Sequence, residues 1–93
     1  MEEKIQTLHP DPAKMGVHIS KAKYDLVRAT VLDVLREKGG LTFTRLSQEV
    51  EQRLSGHFDG SIPWYTISVQ LDLEARQVVE RTAETPPRVR IKT

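Results

Sequence analysis

An α+β domain of three helices followed by a C-terminal antiparallel hairpin is the fold this chain predicts. Three observations carry it. Residues 21–38 and 43–54 repeat apolar side chains at helical spacing, each behind a capping hydroxyl and ahead of glycine. Residues 61–76 carry a third such stripe, opened by a serine with a proline in the first turn. Residues 88–92, Arg-Val-Arg-Ile-Lys, alternate strictly, as a strand with one covered face does.

Residues 1–18 hold Pro10, Pro12 and Gly16 with little periodicity, and read as an extended N-terminal arm. Ile5, Leu8, Met15 and Val17 are the arm side chains able to pack on the domain, which spans 19–93. The first helix is expected from Lys21 to Lys38. Ser20 is its N-cap, and Ile19 with Tyr24 takes the two positions of a hydrophobic staple. Tyr24, Val27, Val31, Val34 and Leu35 form its buried stripe, and Gly39-Gly40 ends it. Leu41 makes a very short strand. Thr42 caps the second helix, Phe43 to Leu54, whose apolar face is Phe43, Leu46, Val50 and Leu54. Ser55 to Gly60 is a turn rich in glycine.

The third helix is expected from near Ser61 to near Arg76. Ile67, Val69, Leu71 and Leu73 also alternate, so residues 65–74 read as a strand too. The helical reading is preferred for two reasons. Leu71 to Arg76 are good helix formers, and a strand here would run on into Val78-Val79 and become improbably long. Val78 to Arg81 and Arg88 to Lys92 are then the two strands of the hairpin. Helix, short strand, helix, helix, hairpin is the winged-helix order.

The run Leu71-Asp72-Leu73-Glu74-Ala75-Arg76-Gln77-Val78-Val79-Glu80-Arg81 resembles the end of a recognition helix passing into the first strand of a winged helix-turn-helix domain. With Leu41-Thr42-Phe43 and Trp64-Tyr65, nearly the whole chain resembles a family of small, uncharacterised bacterial winged-helix-like proteins. The resemblance implies a fold and says little of function. Where many such relatives carry glycine at the helix-to-wing turn, this chain has Gln77.

Ninety-three residues with a net charge of +1 make one small domain. The first helix (residues 21–40) and the hairpin (residues 78–93) each carry a surplus of two positive charges. There is no cysteine, which excludes disulfides and thiol chemistry and suits a cytoplasmic setting. The acidic start, Met1-Glu2-Glu3-Lys4, is followed by no apolar run, so no signal peptide is expected. No stretch reaches the roughly 20 apolar residues of a membrane span. His9, His18 and His57 are too scattered for a metal site. No nucleophile elbow or phosphate loop occurs, so neither an enzyme nor a cofactor is expected.

Two roles follow. In the first, double-stranded DNA is held mainly by its backbone through Arg81, Arg88, Arg90 and Lys92 on the hairpin, Arg76 on the third helix, and Lys21 and Lys23 at the first. The alternative is a protein-interaction module, pairing with itself or another protein. It arises because the third helix is apolar on two sides. With Trp64, Ile67, Leu71 and Ala75 taken as the core stripe, Ile62, Val69 and Leu73 lie opposite and need another cover. With Tyr65 they make the candidate protein interface. Asp72 and Glu74 on this helix repel phosphate, which counts against base reading.

Overall fold

The computed structural model describes residues 2–93; Met1 lies outside the described residues. Strands β1 (Lys4–Gln6) and β2 (His18–Ser20) pair antiparallel, with Ile5 opposite Ile19. Helix α1 (Lys21–Lys38), strand β3 (Leu41–Thr42) and helix α2 (Phe43–Leu54) follow, then α3 (Ile62–Ala75) and strands β4 (Val79–Arg81) and β5 (Arg88–Ile91). The second sheet has the order β3-β5-β4, all antiparallel, with Leu41 opposite Val89 and Glu80 opposite Arg90. Three helices and two small antiparallel sheets thus make an α+β layout compatible with a winged helix.

The helices begin where the caps require. Ser20, Thr42 and Ser61 each accept a hydrogen bond from the backbone N–H three residues on. Gly39, at φ 75°, ends α1 with its N–H on the Leu35 carbonyl. The end of α3 is closed by a full Schellman turn. The Val78 N–H reaches the Leu73 carbonyl at 2.9 Å and the Gln77 N–H the Glu74 carbonyl at 3.0 Å. That turn demands a left-handed residue, and Gln77 supplies it at φ 63°. Gln77 therefore holds backbone strain that a glycine would not.

The three helices pack on one another around Val27, Val31, Val34, Leu46, Val50, Val69 and Leu73, all fully buried. Val79 and Val89 close this core from the sheet. Residues 65–74 are helical, as preferred. The face they bury is the reverse of the one expected. Ile62, Val69 and Leu73 point into the core, while Trp64 is 44% exposed and Ile67, Leu71 and Ala75 are half-buried. The reason is geometric. The 62–66–69–73 stripe carries small and branched side chains that fit between α1 and α2, and the large indole is left at the rim.

The N-terminal segment is folded rather than a plain extended arm. After β1 the chain loops out and returns through β2, tied by Thr7 N–H to the Val17 carbonyl at 2.8 Å and Val17 N–H to Thr7 Oγ1 at 2.7 Å. Gly16 makes that closure possible: a Cβ there would sit 2.2 Å from the Thr7 carbonyl oxygen. Ile5 and Val17 pack against the core, whereas Met15 is 85% exposed.

Candidate functional site

The arm is fastened to α3 by one buried carboxylate. Asp72 is fully buried, so it faces no phosphate, contrary to the expectation for this helix. Its Oδ1 accepts from the Leu8 N–H at 2.8 Å. The buried Tyr24 hydroxyl, on α1, donates to Oδ2. Arg76 Nε, one turn on, donates to both oxygens at 2.9 and 3.0 Å. A buried charge needs this many donors to be tolerated. Burial, then the bond to Asp72, pushes the Tyr24 hydroxyl up to about 12. The same carboxylate raises the Arg76 guanidinium above its ordinary value. Arm, α1 and α3 therefore meet at one charge. A buried tyrosine needs a partner for its hydroxyl, and an aspartate between two leucines is the signal in sequence that names it.

The cations expected at phosphate are engaged within the chain. Arg76 is held by Asp72. On the hairpin, Arg81 pairs with Glu74 at 2.7 Å, Arg90 with Glu80 at 2.7 Å, and Arg88 with Glu84 at 3.3 Å. Lys92 Nζ donates to Gln77 Oε1 at 2.7 Å. Lys21 pairs with Asp25 at 2.8 Å, and that carboxylate holds its ammonium above the usual range. Lys23 lies over the Phe58 and Tyr65 rings, 5.7 and 5.6 Å from their centroids. The hairpin does carry its arginine row on the outer side of β5, but each arginine faces an acid from its own fold.

The candidate protein interface is redistributed. Ile62, Val69 and Leu73 belong to the core and are not surface groups, because α1 and α2 already cover them. Tyr65 is half-buried, stacked edge-on between Phe58 and Trp64 at centroid distances of 4.9 and 5.0 Å. On the other stripe Trp64 is exposed, and Ile67 and Leu71 are half-buried. Leu8 and Met15 of the arm loop border Leu71 across a shallow depression. On the side of the β4–β5 hairpin, Ile67 borders a second cleft with Phe43 and Pro87. Apolar side chains of α3 thus lie between the arm loop and the β4–β5 hairpin. Among the described residues no group of three or more metal-ligating side chains comes together. No helix in the described residues is long and apolar enough to cross a membrane.

A family model described as a family of unknown function, DUF6958, matches residues 4–89. The chain belongs to that family. The DUF6958 match begins at the first residue of β1 and ends within β5, so the arm hairpin, Asp72 and its three partners all lie inside it. No curated protein and no solved structure matches the chain.

Proposed function

We propose that this DUF6958 chain is a non-enzymatic, cytoplasmic protein-interaction module of winged-helix architecture, pairing with a second copy of itself through the outer face of α3. The observation that carries this reading is the exposed indole of Trp64, continued along α3 by the half-buried Ile67 and Leu71, with the exposed Leu8 and Met15 of the arm beside Leu71. It occupies the face with which a winged helix would enter a groove, and it sets apolar side chains there beside Lys14, Glu74 and Arg81. An apolar strip is complementary to its own copy, and two-fold pairs are the commonest assembly. Homodimer interfaces are also the apolar ones. The molecule measures 42 × 33 × 20 Å, broad enough on one side for the roughly 800 Å² per partner that a stable pair buries. The single tryptophan provides the test. On pairing, Trp64 leaves water, so its emission should shift to the blue as concentration rises through the dissociation constant. An emission maximum independent of concentration up to millimolar protein removes the proposal.

The second reading is nucleic-acid binding, favoured by the arginine row on β5 and the order of the elements. Exposed ion pairs are worth about 0–1 kcal/mol each, so phosphates compete for those arginines at modest cost. Fluorescence polarisation with a labelled duplex at about 50 mM salt decides it, because phosphate contacts are strongest there. Binding that weakens steeply with salt supports this reading, and no binding rejects it.

A further inference from the structure

The arm loop between Thr7 and Val17 has few donors with which to hold its shape. Pro10 and Pro12 carry no N–H, so Asp11 supplies the one backbone donor of positions 10–12. That donor goes to a side chain: the Asp11 N–H bonds to His9 Nδ1 at 3.0 Å. Asp11 then shapes the rest of the turn. Its Oδ1 accepts from the Ala13 N–H at 2.9 Å, and its carbonyl from the Lys14 N–H at 3.0 Å. The bond to His9 has a strict requirement. Nδ1 accepts only while it is bare, so the neutral ring must carry its proton on Nε2. A second proton goes to Nδ1, turns the acceptor into a donor and sets two N–H groups against each other. Asp11 and Lys14 of the loop, Glu74 of α3 and Arg81 of β4 line the same depression as His9. Two acids there stand against two cations, and Glu74 is paired with Arg81, so no net charge holds the ring in one state.

We propose that His9 is a pH-sensitive latch on the arm loop. The neutral ring holds the turn over residues 9–14 closed, and the imidazolium releases it. Histidine is the side chain that ordinarily changes charge between pH 5 and 8, so the latch works in that range. The two ends of the loop are fixed independently, by the Leu8 N–H on Asp72 and by the Thr7 N–H on the Val17 carbonyl. Release therefore moves the tip of the loop and leaves the fold in place. Met15, exposed and beside Leu71, follows that turn directly. Opening the turn loosens this edge of the α3 face, and a partner must order it again at a cost in entropy. That last step rests on the self-pairing proposed above; the latch itself does not.

His9→Asn is the deciding variant, because an asparagine oxygen also accepts from the N–H two residues on and gains no proton in this range. Amide spectra of dilute ¹⁵N-labelled protein between about pH 8 and pH 5 follow the Asp11 signal. In the wild type it should move in one step with the His9 ring signals, and in His9→Asn it should stay put. At the acid end, its exchange with water should be about 2–12-fold faster in the wild type than in His9→Asn, and equal at the alkaline end. His9→Ala should match the fast wild-type rate at the acid end and exceed the wild type at the alkaline end. An Asp11 amide that ignores pH in the wild type, or steps equally in His9→Asn, overturns the latch. So does a neutral His9 ring that carries its proton on Nδ1 in the ¹⁵N spectrum. Sedimentation at both ends of the range reads the consequence. The dissociation constant of the wild-type pair should rise about 2–12-fold toward the acid end, and that of His9→Asn should not. A pair indifferent to pH while the Asp11 signal steps overturns the coupling to pairing. A chain that never pairs overturns that coupling and the self-pairing reading together, with the latch still decided by Asp11.

Discussion

Asp72→Ala should be the most damaging single change at a charged residue in this fold. Three donors converge on that carboxylate: the Leu8 N–H, the Tyr24 hydroxyl and Arg76 Nε. Hydrogen bonds to a charged group contribute about 1.5–3 kcal/mol each. The three losses are unequal. Arg76 is partly exposed and regains water, whereas the Tyr24 hydroxyl stays buried without an acceptor. Releasing a buried carboxylate offsets part of the loss. The net cost comes to about 3–4 kcal/mol, against a total of roughly 5–14 kcal/mol for a domain of this length. Tyr24→Phe should cost about 1.5–3 kcal/mol, and the double variant much less than the sum, because both remove one bond. Urea unfolding followed by far-UV circular dichroism gives each value. Exchange of the Leu8 amide proton with solvent should quicken in Asp72→Ala and stay slow in Tyr24→Phe. The same node sets an alkaline limit. The Tyr24 hydroxyl is raised from 10.0 to about 12 by burial and then by Asp72. Its contribution is complete below pH 10 and is lost as pH climbs from 10 to 12, amounting to about 2–3 kcal/mol. Tyr24→Phe should lack that step. A cost under about 1 kcal/mol for Asp72→Ala, or strict additivity of the two changes, would refute the idea of a shared anchor.

Other variants probe other parts. Gln77→Gly should stabilise the domain by about 0.5–1 kcal/mol in thermal unfolding, since glycine relieves the left-handed strain at φ 63° and only the exposed Lys92 contact is lost. Gly16→Ala should destabilise by about 1–3 kcal/mol, because its Cβ collides with the Thr7 carbonyl; the Thr7 amide should then lose its protection against exchange. Leu73→Asp should abolish the cooperative unfolding transition, as it sets an unpaired charge in the fully buried centre.

Helix boundaries were readable because caps are local. Ser20, Thr42 and Ser61 announce their helices within three residues, and α1 and α2 begin and end where expected. The face of α3 was not readable, because the helix is apolar on both sides and periodicity offers two stripes of equal merit. Choosing the stripe with the largest side chain put Trp64 inside, when the space between α1 and α2 suits Val69 and Leu73. The strands of the arm, Lys-Ile-Gln and His-Ile-Ser, are three residues each, too short to show alternation. Asp72 depends on partners 48 and 64 residues away, a relation that no local pattern contains. The arginine row on the last strand was plain. The acids that neutralise it were visible as residues, but their pairing came from the register of β4 against β5 and from the turn of α3 toward the hairpin.

Sedimentation equilibrium on the wild-type chain and on Trp64→Glu tests the role given to α3 most directly. The account predicts a reversible monomer–dimer equilibrium for the wild type and a cooperatively folded monomer for the variant. A wild type that stays monomeric at every loading concentration, or a variant that dimerises as well as its parent, would contradict it.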